Sequence, residues 1–317
     1  MLPGPDWTIN LGIMSLALLI TLMILTFYIN LPYEIWLFSH KFLGAVFFVG
    51  GLHSLLIPSD IALYPPLKIY ILVIASVSLI LHFYRTIFGR FLVRRLTYQV
   101  SRVYLPGQEV TQVDLIPIGK SLNFLPGQFI FVRFDDPLIS GEVHPFSLCS
   151  SPSEPVLSLA AKNLGDYTAR LFFLASGVKA KIEGPFGQFS YLTHKNPRQI
   201  WIAGGIGVTP FVSMAKSFSS PNYQIDMFYA VKDPAELVYS DIFQKVAADH
   251  PNFRYHPHAS ATQGRLTADL IKKTLGDISD KDIYVCGPPP MMKSLRDQFH
   301  KLGLPHWRIY TEEFQIN

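Results

Sequence analysis

The stretch WIAGGIGVTPFVSM, Trp201 to Met214, carries the residue types that can hold an anion. An apolar, strand-like run enters Gly204, Gly205 and Gly207, and a helix is expected to start near Val208. Glycine permits the sharp turn and lets backbone approach a pyrophosphate, while the free N–H groups of a helix's first turn point at the charge. Thr209 and Pro210 open that helix, and a hydroxyl there could add one hydrogen bond to phosphate. Tight helix–strand packing also demands glycine, so this run alone leaves two readings open. Downstream, IYVCGPPPMM ends a second apolar strand in Cys286, Gly287 and Pro288. The crevice at the carboxyl ends of such strands is where open α/β sheets bind ligands.

A second chemistry-bearing pattern is HKFLGAVFFVGGLH, which sets His40 and His53 at the ends of an otherwise apolar segment. On a helix this interval spans about 20 Å along the axis and about 140° around it, and bringing both imidazoles to one face requires a local distortion. Ionisable groups in such segments are functional by default, the alternative for His53 being a neutral imidazole hydrogen-bonded to a neighbouring helix.

The elements that must position these residues divide the 317-residue chain into unlike parts. Just 16% of residues are charged and the mean hydropathy is +0.26, with the apolar excess gathered at the start. Residues 1–96 read as a helical membrane domain with spans at about 11–29, 35–57 and 67–84. No basic region precedes the first span and no small-residue cleavage site follows it, which argues against a signal peptide. Arg85, Arg90, Arg94 and Arg95 follow the third span, so the rest of the chain is expected on the cytoplasmic side of a cell membrane, in contact with lipid. From 97 to 194, short alternating apolar runs broken by Pro and Gly predict an antiparallel β-barrel. From 195 to 317, strand-like runs alternating with helix-length segments predict a parallel α/β sheet. The 2 cysteines lack CxxC spacing, which supports neither a disulfide framework nor an iron–sulfur cluster. A formal charge of +4 with no basic, aromatic stripe argues against nucleic acid as a partner.

Four further motifs occur in order: LPGQF (Leu125 to Phe129), HPFSLCSSP (His144 to Pro152), GDYT (Gly165 to Thr168) and GPFG (Gly184 to Gly187). With the two glycine turns they resemble the ferredoxin–NADP reductase superfamily, and the His-Pro-Phe-Ser form resembles its membrane branch, the ferric reductase and NADPH oxidase family. The resemblance implies an FAD-binding barrel and an NAD(P)-binding domain. It implies that His144, Pro145, Phe146, Ser147 and Ser150 contact FAD, with Phe146 against the flavin ring and Ser147 near its N5. Lys162, Gly165, Tyr167 and Thr168 would hold the pyrophosphate and ribityl chain. On the NAD(P) side it implies Gly204, Gly205, Gly207, Thr209, Pro210, Gly287 and Pro288, with Cys286 over the nicotinamide. Arg265 is a candidate for the adenosine ribose or a 2′-phosphate, or a surface helix cap, and Phe314 resembles the terminal aromatic that covers the flavin.

The family also implies two haems b, each iron held by two histidines, with His40 and His53 as ligands on one helix. The first span contains no histidine, and the three spans resemble the last three of the family's six. Missing helices or a partner subunit would therefore supply the opposing ligands; His82 reads as structural or as a group beside the flavin. The implied activity is hydride transfer from NAD(P)H to FAD and single-electron delivery to ferric iron, oxygen or another acceptor. A haem-free membrane-tethered flavin reductase and a non-catalytic electron-transfer or assembly subunit are the alternatives.

Overall fold

The computed structural model describes residues 7–29, 36, 39–40, 42–57, 64–84, 95–139, 141–194 and 196–313. It divides at Arg94/Arg95 into a helical unit and a reductase unit.

In the helical unit, α1 (Trp7–Phe27), α2 (Leu43–Leu56) and α3 (Pro65–Phe83) are apolar on nearly every face. The first and third, at 21 and 19 residues, are long and apolar enough to cross a membrane. The second has 14 residues, shorter than the expected 35–57 span, part of which lies outside the described residues. Hydroxyls on α1 bond carbonyls rather than solvent: Thr21 and Thr26 donate back one turn to Ala17 and Leu22, and Ser15 donates across to Val46 at 3.1 Å. Such pairing satisfies polar groups where no water competes.

The reductase unit begins with β1 (Arg95–Gly107), followed by β2 (Val110–Pro117), β3 (Phe129–Phe134), β4 (His144–Ser147), β5 (Leu157–Lys162) and β6 (Lys179–Phe186). They form an antiparallel sheet in the order β4-β3-β6-β1-β2-β5, and a bridge between Leu148 and Leu159 closes it into the expected barrel. Val100, Val113, Leu115, Ile130, Val132, Leu159 and Ile182 fill its interior. Alternation with a period of two puts such side chains on one face of each strand.

The second half contains β7 (Arg198–Gly204), β8 (Gln224–Val231), β9 (Phe253–Ala259), β10 (Asp282–Cys286) and β11 (Ile309–Glu312), all parallel in the order β11-β10-β7-β8-β9. Strand order reverses between β7 and β10, which sets a crevice at their carboxyl ends. Successive β7 residues face opposite layers. Ile200 and Ile202 enter the core beneath the helices Ala268–Leu275 and Pro289–Lys301, and Trp201 and Ala203 enter the core beneath Thr209–Lys216. That second core continues without interruption into Val110, Cys149 and Ala160 of the barrel.

Candidate functional site

At the barrel end of the site, β4 runs antiparallel to β3 and delivers the HPFS motif. Phe146 joins the barrel core, Ser147 is buried beside it, and His144 and Pro145 are half-buried. The short helix Asp166–Arg170, here α4, brings Tyr167 over this strand. Its ring lies 3.7 Å from that of His144 and 6.3 Å from that of Phe146, 26° from parallel to the latter. His144 Nε2 pairs with Glu142 at 2.8 Å. Ser147 Oγ and Tyr167 Oη are both buried with no hydrogen-bond partner among the described residues. Burial, and secondarily the charge of Glu142, push the Tyr167 phenol well above its ordinary range.

Leaving a buried hydroxyl unpaired costs about 1–3 kcal/mol, so two such groups on neighbouring elements stand ready to pair with a polar ligand. The residues present therefore fit FAD, with Ser147 and Tyr167 as its hydrogen-bonding groups and Phe146 and Tyr167 as its aromatic surfaces. Two residues expected in this set are engaged elsewhere. Ser150 Oγ accepts from the Ser158 amide and its carbonyl accepts from Ser213. Thr168 Oγ1 accepts from the Leu164 and Gly165 amides and donates to the Gly165 carbonyl, closing its own turn. Gly165 opens onto empty space.

A cleft of about 330 Å³ lies between barrel and parallel sheet, lined in part by Glu109, Lys162, Gly205, Tyr229, Asp233 and Glu236. Lys162, expected at the flavin pyrophosphate, lines this cleft together with Gly205. Its ammonium pairs with Glu109 at 3.0 Å and Glu236 at 3.9 Å. The reason is positional: Lys162 is the last residue of β5, the barrel's outer strand in sheet order, and its side chain leaves the barrel there.

The glycines separate by role. A Cβ on Gly207 would collide with the Cys286 carbonyl and stand 2.7 Å from Gly287 Cα; one on Gly287 would stand 2.9 Å from Gly204 Cα. One on Gly204 would meet Met291 Sδ at 2.5 Å and Pro288 Cδ at 2.9 Å. These three glycines let two strand ends touch. Gly205 alone of the four has a positive φ, 53°, with nothing within 4 Å of a Cβ position, and it remains open to a ligand. Thr209 is buried with its hydroxyl on the Ile206 carbonyl, and Pro210 is buried behind it, so neither reaches the cleft surface as expected. Arg265 is exposed, and it does not appear among the described lining residues of the cleft.

Cys286 is fully buried at the end of β10, and burial, with the charge of Glu312, pushes its thiol well above the ordinary range. It is a packed neutral group. Facing it in register on β11 is Glu312, whose carboxyl burial raises to about 7. Sequence reasoning passed over this residue. Its one signal is its place in the C-terminal TEEF run, two residues before Phe314, which itself lies outside the described residues.

In the helical unit, His53 Nδ1 donates to the Thr8 carbonyl at 2.6 Å, and its ring seats on Gly12, where a Cβ would lie 2.6 Å from Nε2. His82 seats likewise on Gly44. His53 is thus hydrogen-bonded to a neighbouring helix, as the alternative reading of this residue has it. His40 stacks on Trp36, with ring centroids 4.4 Å apart, and its buried Nδ1 has no hydrogen-bond partner among the described residues. No group of three or more His, Cys, Asp or Glu side chains among the described residues could hold a metal ion.

A closed antiparallel barrel with unpaired hydroxyls, joined to a parallel sheet with an open glycine turn at its switch point, defines a two-domain flavin and dinucleotide reductase fold. Residues 95–190 match the family model described as FAD-binding domain, and 201–297 match the oxidoreductase NAD-binding domain. Together the two domains place the chain in the ferredoxin–NADP reductase superfamily. The phenol hydroxylase P5 protein of Acinetobacter pittii is 30% identical over 214 residues, covering 63% of this chain and 60% of that protein. The ferredoxin reductase component of the Mycobacterium tuberculosis 3-ketosteroid-9-alpha-monooxygenase is 27% identical over 202 residues, 62% of this chain and 56% of the relative. The match thus spans somewhat over half of these relatives. Among solved structures, the ferredoxin NADP+ reductase of Neisseria gonorrhoeae with bound FAD and NADP superposes with a TM-score of 0.60 at 17% identity, covering 68% of this chain and 97% of that one. None of these matches is a ferric reductase or NADPH oxidase by name, so the expected membrane branch finds no support in them.

Proposed function

We propose that the chain is a membrane-anchored, NAD(P)H-dependent FAD oxidoreductase that hands electrons singly to a separate acceptor protein. The observation that carries this reading is one unit holding both unpaired hydroxyls on the flavin motifs and a cleft that Lys162 lines together with Gly205. FAD, when bound, supplies the capacity to take a hydride and release single electrons. The protein's part is to orient and exclude water: Phe146 and Tyr167 present ring faces, Ser147 presents a hydroxyl, and Gly205 and Lys162 receive a pyrophosphate. Relatives named as reductase components of oxygenases support a protein acceptor. The apolar α1 and α3 support attachment to a cell membrane, with the reductase unit on the cytoplasmic side by the basic residues that follow α3.

The test is a spectrum of the purified full chain before and after anaerobic addition of NADH or NADPH. Flavin absorbance that bleaches on addition, without a Soret band, is the expected result. A chain that is folded but carries no flavin overturns the reading, and bound flavin that neither nucleotide bleaches points to the non-catalytic subunit. A second reading, a transmembrane haem relay to ferric iron or oxygen, is favoured by the buried, unpaired Nδ1 of His40. It requires a Soret band that appears with a partner subunit and is lost in His40→Ala.

A further inference from the structure

We propose that Tyr239 is a positioning residue: its phenol, hydrogen-bonded to Gln112, ties one wall of the cleft to the barrel and holds it there while a phosphate displaces Glu236 from Lys162. The cleft is taken here as the nicotinamide-nucleotide site, as proposed above.

The segment between β8 and the helix Ser240–Asp249 supplies Asp233, Ala235, Glu236 and Val238 to the cleft lining, opposite Glu109, Val110 and Lys162 of the barrel. Contacts to the barrel hold this wall. Val238 is buried in the common core and lies against Gly107, where a Cβ would stand 2.9 Å from one of its methyls. Glu236 pairs with Lys162 at 3.9 Å, and Tyr239 Oη donates to Gln112 Oε1 at 2.8 Å. Among the described residues Tyr239 is the one non-glycine residue with a positive φ, 63°. A β-carbon is crowded in that conformation, and glycine would adopt it freely. Strain of this kind persists where surrounding contacts over-determine it, and here the contact that glycine could not make is the phenol's.

Gln112 is a fixed acceptor. It is buried on β2, and its Nε2 donates to Asp114 Oδ1 at 2.8 Å, which turns the amide oxygen toward Tyr239. Asp114 is held in turn by Ser158 Oγ at 2.8 Å and by Arg102 at 3.3 Å. A bond within such a buried network is strong, and cutting it strands a partner. The contact between Glu236 and Lys162 is of the opposite kind. It is long, partly exposed and shared with Glu109 at 3.0 Å, and ion pairs of this sort contribute little. A pyrophosphate entering the cleft competes for the same ammonium, and Glu236 lets go as it binds. The phenol tie involves no charge that phosphate can claim, so the wall keeps its place through the exchange.

The experiment uses the FAD-replete full chain in detergent and has two readouts: anaerobic flavin reduction by NADH and NADPH, and hydrogen–deuterium exchange across residues 233–239 without nucleotide. Tyr239→Phe keeps the ring and its packing but removes the donor, and Gln112→Met removes the acceptor at similar size. Each should raise KM by about fivefold, the scale of one net hydrogen bond, and leave kcat within about twofold, the mark of binding lost equally from ground and transition states. The double variant should lose no more than either single one, because both cut the same bond. Exchange at Glu236, Leu237 and Val238 should quicken in all three while FAD content stays level. Losses that multiply in the double variant overturn the proposal, as does unaltered exchange in the segment. Faster exchange with an unchanged KM overturns it too, leaving a structural tie without a part in binding. Wild-type FAD that neither nucleotide reduces is a separate failure: it removes the nucleotide site, and the proposal with it, even where exchange answers as expected.

Discussion

Glu312 stands in register with Cys286 across β11 and β10, and its Oε1 lies 3.4 Å from where a Cβ on Gly187 of the GPFG turn would be. A titratable, half-buried carboxyl is thereby placed where the parallel sheet meets the barrel.

Burial raises this carboxyl from the ordinary 4.5 to about 7, so the folded chain holds a proton that the unfolded chain releases between those values. Its contribution to stability is complete below the lower value and is lost as pH rises through the upper one. Glu312→Gln should flatten the dependence of Tm on pH across that window, and any inflection near neutrality in the rate of flavin reduction should disappear. Thermal melts and stopped-flow traces at several pH values provide the check.

Phe146→Ala should release flavin by removing an aromatic surface that also packs in the barrel, at a cost to stability of about 3–5 kcal/mol. Ser147→Ala is the milder probe. It removes an unpaired buried hydroxyl, so the flavin-free protein should be as stable as wild type or more so, while FAD affinity falls by about tenfold, the worth of one hydrogen bond. Melting with and without FAD separates these effects.

Gly287→Ala should disturb both strand ends, because the new methyl meets Gly204 backbone at 2.9 to 3.2 Å. Gly205→Ala meets no atom within 4 Å but must hold a φ of 53°. The first should lower Tm and nucleotide affinity together. The second should cost about 1 kcal/mol of stability and weaken the nucleotide disproportionately. Calorimetry paired with nucleotide titration distinguishes them.

Asp226 is a buried carboxylate in the parallel sheet, paired with Arg254 at 2.6 Å and Lys281 at 3.5 Å, with His256 at 3.4 Å. Burial opposes its ionisation, but the hydrogen bonds of His256 and Arg254 and the charges of Arg254 and Lys281 win, and its carboxyl sits below the ordinary value. Its stabilisation is therefore present above the unfolded carboxyl's pKa and lost as pH falls through the folded one. Asp226→Asn should destabilise by about 3–5 kcal/mol at neutral pH by stranding Lys281, and the difference should shrink in acid, as denaturant titrations can measure.

The strands of the parallel sheet were legible because QIWIAG and DIYVCG are apolar on both faces, and the barrel because its short runs alternate. Directions across space were not. Whether Gly204, Gly207 and Gly287 serve a ligand or one another depends on β10 lying beside β7, a neighbour about 80 residues away in sequence that no local pattern names. Nor does the sequence show that Lys162 pairs with Glu109 and Glu236, the second of them more than 70 residues away. His53 showed its polarity in sequence but not its partner, since the Thr8 carbonyl is a backbone atom, alike in every residue.

The apolar layer beneath Trp201 and Ala203 runs on into Val110, Cys149 and Ala160. The boundary between flavin and nucleotide halves, so clear in the sequence near residue 195, is consequently no seam for unfolding. Separating the halves would expose one side of a common interior, so they should melt in a single cooperative transition. Neither should persist as an independent module when the chain is cut there, and an evolutionary exchange of one half would have to carry its share of that interior with it.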